Sequence, residues 1–260
     1  MTNFKQYFRS HIRQNGKNLI CIFVIAITLT FVLAITEQPH VLLHNQDKYC
    51  RFNTLFAAVY YMIILVYILP VIQFSCFKKR INLDCAYSLP VSRRTMGIVH
   101  YLTGLIVLFS TFTASHLLNF VVLLNRGLTW YNPPSMIVHY FLCLLFGFAI
   151  YSIMVFVFNE ANTTGDGIWF MILYTFVVFL VLSAVGEIQH IPNLYLYEEA
   201  GTPFILTVMT EIYEISFEFG SAQASFWKHP EYVTMSLFWI IAGMASVIGF
   251  FFSFGKKERK

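Results

Sequence analysis

Six long runs without any Asp, Glu, Lys or Arg dominate the 260-residue sequence. A helix needs roughly 20 apolar residues to cross a hydrocarbon core about 30 Å thick, and each run has about that length. We therefore predict an all-α integral membrane protein, a single transmembrane domain over residues 1–260. The six predicted transmembrane helices are residues 19–36, 54–77, 98–125, 135–159, 168–186 and 232–255.

The composition agrees with this class of protein. Hydrophobic residues make up 58% of the chain, charged residues only 12%, and the mean hydropathy is +0.66. Such a chain is too apolar for a soluble domain. The first run is not expected to be a cleaved signal peptide, because Glu37 and Pro39 follow it instead of a small-x-small cleavage site.

The basic residues predict the orientation. With the N-terminus inside, 13 of the 17 Lys and Arg fall in cytoplasmic pieces and only Lys48, Arg51, Arg126 and Lys228 fall outside. This asymmetry predicts that both termini are cytoplasmic. The net charge of +4 then reflects anchoring at the membrane, and nucleic acid is not an expected partner.

Residues 1–18 predict an amphipathic helix that lies in the inner interface before the first span. Its basic face would contact anionic lipid headgroups, and a contact with a cytoplasmic partner is the alternative. At 100° per residue the apolar face holds Phe4, Tyr7, Phe8, His11 and Ile12, and the other face holds Lys5, Arg9, Arg13 and Lys17.

Residues 78–97 form the longest water-soluble stretch on the predicted inner side, after a span that Pro70 is expected to kink. Asp84 can cap a short helical turn. That turn ends before Pro90, because the residue before a proline is pushed towards an extended conformation. Ser92 can cap the next helix, which begins with Arg93 and Arg94 and continues as the third span.

Residues 83–106, LDCAYSLPVSRRTMGIVHYLTGLI, resemble the segment between the second and third spans of type-2 ATP-binding-cassette (ABC-2) exporter permeases. Members of that family commonly show an acidic residue, then an apolar-Leu-Pro-x-Ser-Arg core, then a helix that enters the membrane. One departure is His100, where many relatives have a basic residue. Membrane-surface anchoring is the alternative role for Arg93 and Arg94.

The resemblance implies a permease subunit coupled to separate ABC ATPase subunits and paired with a second permease copy or a related permease. It implies no cofactor bound directly by this chain, with ATP and Mg in the partner ATPase. The coupling residues that it implies are Asp84, Tyr87, Leu89, Pro90, Val91, Ser92, Arg93 and Arg94.

Two further groups of polar residues are candidate sites. His116 and Asn119 lie three apart in the third span, so they share a helix face and line either a substrate path or an interhelical contact. Thr202, Pro203 and Gly220 bound a predicted amphipathic helix in the outer loop between spans five and six. Its acidic face forms either an outer gate or a passive lid, and consists of Glu211, Glu214 and Glu218.

These observations favour an exporter permease in the cell (plasma) membrane of a bacterium, a multi-pass protein without its own ATPase site. The alternative is a non-transporting membrane sensor or assembly factor. An intramembrane enzyme is disfavoured, because the sequence has no HExxH, no GxSxG and no zinc-type His/Cys spacing. Since the spans lack charges, we expect an amphipathic or lipid-like cargo such as a peptide, lipid or drug.

Overall fold

The computed structural model describes residues 2–36, 40–44, 47–51, 53–78, 91–125, 133–189 and 230–256, with side chains over narrower ranges. These residues form six α-helices and one short hairpin. The helices are α1 (Thr2–Thr36), α2 (Asn53–Phe74), α3 (Arg93–Asn125), α4 (Pro133–Glu160), α5 (Thr164–Gln189) and α6 (Pro230–Lys256).

The predicted helical architecture is confirmed in its main feature. Within the described part of the chain, five helices are long and apolar enough to cross a membrane, namely α1, α2 with its continuation, α3, α4 and α6. The described apolar segment of α5 is shorter, Thr164–Val178, within a helix of 26 residues. The predicted outer-loop helix, with Glu211, Glu214 and Glu218, lies outside the described residues.

The first helix differs from the prediction of two separate segments. α1 is a single helix of 35 residues, and at 1.5 Å per residue it is about 52 Å long, more than a hydrocarbon core of about 30 Å requires. The four basic residues predicted on one face are exposed, whereas His11 on the other face is buried. The predicted apolar face is therefore only partly packed on the protein, because Tyr7 and Phe8 are half-buried whereas Phe4 and Ile12 are exposed.

Two connections also differ from the sequence-based expectation. A polar loop was predicted after the first span, but strands β1 (His40–His44) and β2 (Asp47–Arg51) pair there as an antiparallel hairpin. The connection predicted over residues 160–167 is reduced to residues 161–163, because helices include both of its ends.

Pro70 lies inside α2, which continues to Phe74 and is followed by a 3₁₀ turn at Ser75–Lys78.

Contacts between the helices fix their relative directions. α1 runs parallel to α3, because Tyr7 contacts His100 and Thr30 contacts Ser115. α3 runs antiparallel to α4, because Tyr101 bonds Ser152 whereas Thr113 bonds Tyr140.

Contacts also fix the directions of α2, α5 and α6. α2 and α6 both run parallel to α4, with contacts between Met62 and Gly147, Lys78 and Asn159, Gly243 and Ala149, and Asn159 and Ser253. α5 starts beside the end of α4, where Gly167 meets Phe158, and runs back along it. Consecutive helices therefore alternate in direction.

The core lies along α4 and α2. Large side chains with less than 2% exposure include Met62, Leu69, Tyr151 and Phe158 on these two helices. Large apolar side chains on α1, α5 and α6 are exposed, with Trp169 at 69% and Phe252 at 66%. A surface of this kind is suited to lipid or to another membrane protein, since it would be unfavourable in water.

Candidate functional site

The predicted coupling residues lie within residues 84–94, which we call the coupling segment. Its described part, residues 91–94, leads into the start of α3. The Thr95 amide donates to Ser92 Oγ at 3.2 Å, and the Met96 amide donates to the Ser92 carbonyl at 3.0 Å. This is the geometry of an N-cap, so the predicted cap at Ser92 is confirmed. Asp84, Tyr87, Leu89 and Pro90 lie outside the described residues.

The side chains around this cap differ in exposure. Arg94 is exposed, whereas Arg93 and Val91 are half-buried. Together with Lys78 at the end of the 3₁₀ turn, the two arginines mark one end of the helix bundle, which we call the basic end. A capped helix that starts with an exposed guanidinium offers a charged group for contact with a carboxylate or phosphate.

About two turns further into the bundle, a polar cluster joins α1 to both helices that flank the coupling segment. We call it the basic-end junction, and it consists of Tyr7, His11, Gln73 and His100. His11 and Gln73 are buried and their side chains approach to 3.1 Å, between His11 Nε2 and Gln73 Oε1. His100 Nδ1 lies 2.7 Å from the Gln73 carbonyl oxygen, and Tyr7 Oη lies 3.3 Å from His100 Nε2.

The partners of the two histidines assign their tautomers. Asn15 Nδ2 donates to His11 Nδ1 at 3.2 Å, so the His11 proton is on Nε2, from which it donates to Gln73. His100 must carry its proton on Nδ1, because a backbone carbonyl can only accept. Both rings are therefore neutral donors to α2, and their centroids are 3.9 Å apart.

The hydrogen bonds of the junction indicate that it joins helices and is not a metal site. All four ring nitrogens of His11 and His100 have partners. Among the residues that the structure describes, no group of three His, Cys, Asp or Glu side chains could hold a metal ion. Aromatic rings close the cluster, with Phe77 at 4.7 Å from the His100 ring and Phe254 of α6 at 5.4 Å from Phe77.

The candidate path residues of α3 are buried. His116 is 6% exposed and Asn119 is 1% exposed. The His116 ring lies 5.8 Å from the Phe112 ring and 5.2 Å from the Tyr140 ring on α4. The neighbouring Ser115 accepts a hydrogen bond from Thr30 Oγ1 of α1 at 3.2 Å.

This polar region therefore joins three helices. Hydrogen bonds and ring contacts connect α1, α3 and α4 there, which favours the interhelical interpretation over an open path lined by His116. The two interpretations differ in hydration, because a path must admit water or cargo beside these side chains.

Sequence reasoning missed the basic-end junction. His100 appeared only as a departure from the family pattern, and Gln73 was counted as part of an apolar run. The available signal was the occurrence of two polar side chains, Gln73 and His100, near the predicted inner ends of adjacent spans, where buried polar groups need partners. Comparison with models of known protein families and with curated proteins gave no match.

Proposed function

We propose that the chain is the membrane-spanning permease subunit of an ABC exporter and works with separate ATPase subunits. The observation that best supports this proposal is the Ser92-capped start of α3, with Arg94 exposed at the basic end. It agrees with the helix restart that the resemblance of residues 83–106 implies. ATP and Mg would be bound by the partner ATPase.

The alternating helix directions support six crossings, with α5 as the fifth. In such an arrangement α1 starts and α6 ends at the same side of the membrane. The excess of Lys and Arg at that end favours the cytoplasm. The exposed basic residues of α1 would lie at the level of the inner headgroups.

In the proposed mechanism, closure of two ATPases displaces the segment from Asp84 to Arg94. Because this segment connects α2 to α3, its displacement would tilt both helices and switch a path between inner and outer access. A second permease copy or a related permease would complete the path. An amphipathic or lipid-like cargo suits the absence of charged residues from the six runs.

Affinity purification of the tagged full chain from a membrane that also contains its ATPase tests the proposal. We expect an ATP-hydrolysing subunit to co-purify with the parent chain, and the R93E/R94E double variant to lose most of it. The matched control is R13E/K17E, which reverses two exposed charges on α1. Unchanged ATPase recovery with R93E/R94E contradicts the coupling assignment, and a stable chain with no ATPase supports a sensor or assembly factor.

A further inference from the structure

A second polar contact at the basic end joins the ends of three helices. Lys78 is the last residue of the 3₁₀ turn that follows α2. Its Nζ donates to the carbonyl oxygen of Asn159 at 3.0 Å and to that of Ala161, and it lies 5.5 Å from the centre of the Phe158 ring. In turn, Asn159 Nδ2 donates to Ser253 Oγ of α6 at 2.7 Å.

The chemistry of this contact explains why a lysine occupies the position. The last carbonyl groups of a helix have no partner within the helix and carry a partial negative charge. At the end of α4 these carbonyls belong to residues that are only 4% (Asn159) and 2% (Ala161) exposed. A single ammonium group therefore satisfies acceptors that water reaches poorly.

The contact also holds the connection between α4 and α5. That connection is only residues 161–163, and Thr163 Oγ1 accepts from the Asp166 amide at 3.1 Å as the cap of α5. Glu160, Asn162 and Asp166 are exposed beside it. Lys78 thus bonds two carbonyl groups at one helix end of this corner, and Thr163 caps the other.

We propose that Lys78 is a positioning residue that ties the end of the 3₁₀ turn after α2 to the connection between α4 and α5, so that these two parts are displaced together. Residues 79–83 connect Lys78 to the first coupling residue, Asp84, in the sequence. The helices α2, α4 and α6 run parallel. A displacement that starts at the segment then moves α4 and α6 as well as α2 and α3. This inference rests on the proposed permease function. It adds a contact through which the displacement reaches α4, one of the two helices that form the core.

The first test uses the purified full chain in lipid nanodiscs without any partner. Hydrogen–deuterium exchange is measured in the peptide that covers residues 159–166. Lys78→Met should raise exchange there by about tenfold, as expected for loss of a hydrogen bond to a charged group. Lys78→Arg should restore most of the protection, and the exposed-lysine control Lys17→Met should leave it unchanged.

The second test uses the complex of the chain with its ATPase, compared without nucleotide and after trapping with ATP and vanadate. In the parent, exchange over residues 159–166 should change on trapping. In Lys78→Met that change should be lost while the ATPase still co-purifies and hydrolyses ATP. A merely structural lysine would leave the nucleotide-dependent change in place.

The outcomes separate the two proposals. Unchanged exchange in Lys78→Met without a partner, or a retained response to trapping in the complex, overturns the role of Lys78 and leaves the permease proposal standing. Failure of the parent to bind any ATPase overturns the permease function and, with it, the transmitted displacement. The partner-free result then still decides whether Lys78 holds the corner.

Discussion

At the scale of single residues, the packing of α6 on α4 depends on a glycine. A Cβ added at Gly243 of α6 would lie 2.6 Å from the Cα of Ala149 on α4. Backbone cannot move aside as a flexible side chain can, so the two helices would have to separate. By contrast, a Cβ at Gly16 of α1 meets nothing within 4 Å among the described residues.

This contrast gives a paired prediction. Gly243→Ala should destabilise the protein by about 1–3 kcal/mol through overpacking. Gly16→Ala should stabilise it by about 0.5–1 kcal/mol, since alanine restricts the unfolded chain and favours the helix. Thermal unfolding of both variants in the same detergent measures the difference, and equal shifts of the two midpoints would contradict the packing of α4 on α6.

Among individual side chains, the sequence-based predictions were most successful for interactions between residues that are close together in the chain. The Ser92 cap follows from a hydroxyl placed before a helix start, so it needs no knowledge of distant contacts. The partners of His100 are 27 and 93 residues away in the chain, and those of Lys78 are 81 and 83 residues away. No local pattern specifies such pairs, because they arise only after the helices have packed.

At the scale of elements, the helix that departs most from expectation is α1. The charge pattern indicated a boundary near residue 18, yet the helix is continuous and Tyr7 and His11 contact α2 and α3. The hydrogen bonds of Tyr7 and His11 compensate for placing their polar atoms against protein rather than in the interface. The hairpin after α1 was missed for a related reason, since strands of five residues give a weak periodic signal.

The junction predicts how the first turns of α1 respond to mutation. Replacing Tyr7 by Phe and His11 by Leu removes two contacts to α2 and α3, so residues 2–18 should separate from the bundle more often. Arg9 and Arg13 are exposed and provide trypsin sites. Limited trypsin digestion of the double variant should therefore be several-fold faster at these sites.

The matched control for this experiment is Phe4→Leu, which changes a more exposed ring on the same helix and leaves the junction intact. If the control and the double variant are cleaved at the same rate, the junction does not hold α1 in place.

At the scale of the whole molecule, six apolar runs were enough to predict a helical membrane protein. Hydropathy reports this reliably because the bilayer requires every backbone polar group to be bonded within a helix. The order of packing was not predictable in the same way, since runs of similar hydropathy give no indication of which helix is central. The packing of α2 on α4 instead involves close contacts between distant residues, such as Gly147 beside Met62.

The alternating helix directions predict a membrane topology. A reporter fused before Thr2 and one fused after Lys260 should both be accessible only from the cytoplasmic side, and a cysteine-specific tag near residue 130 only from the outer side. Labelling of intact cells with a membrane-impermeant reagent measures this accessibility. Opposite accessibility of the two ends would rule out an even number of crossings.

The central claim is that this chain forms the membrane part of an ATP-driven complex. Native mass measurement of the tagged chain, extracted gently from its own membrane, tests it most directly. We predict a complex with two permease chains, of which the tagged one contributes 30.2 kDa plus its tag, and two ATPase subunits. Addition of R93E/R94E should reduce this complex to permease chains alone. A parent chain that is released without any nucleotide-hydrolysing subunit would contradict the account.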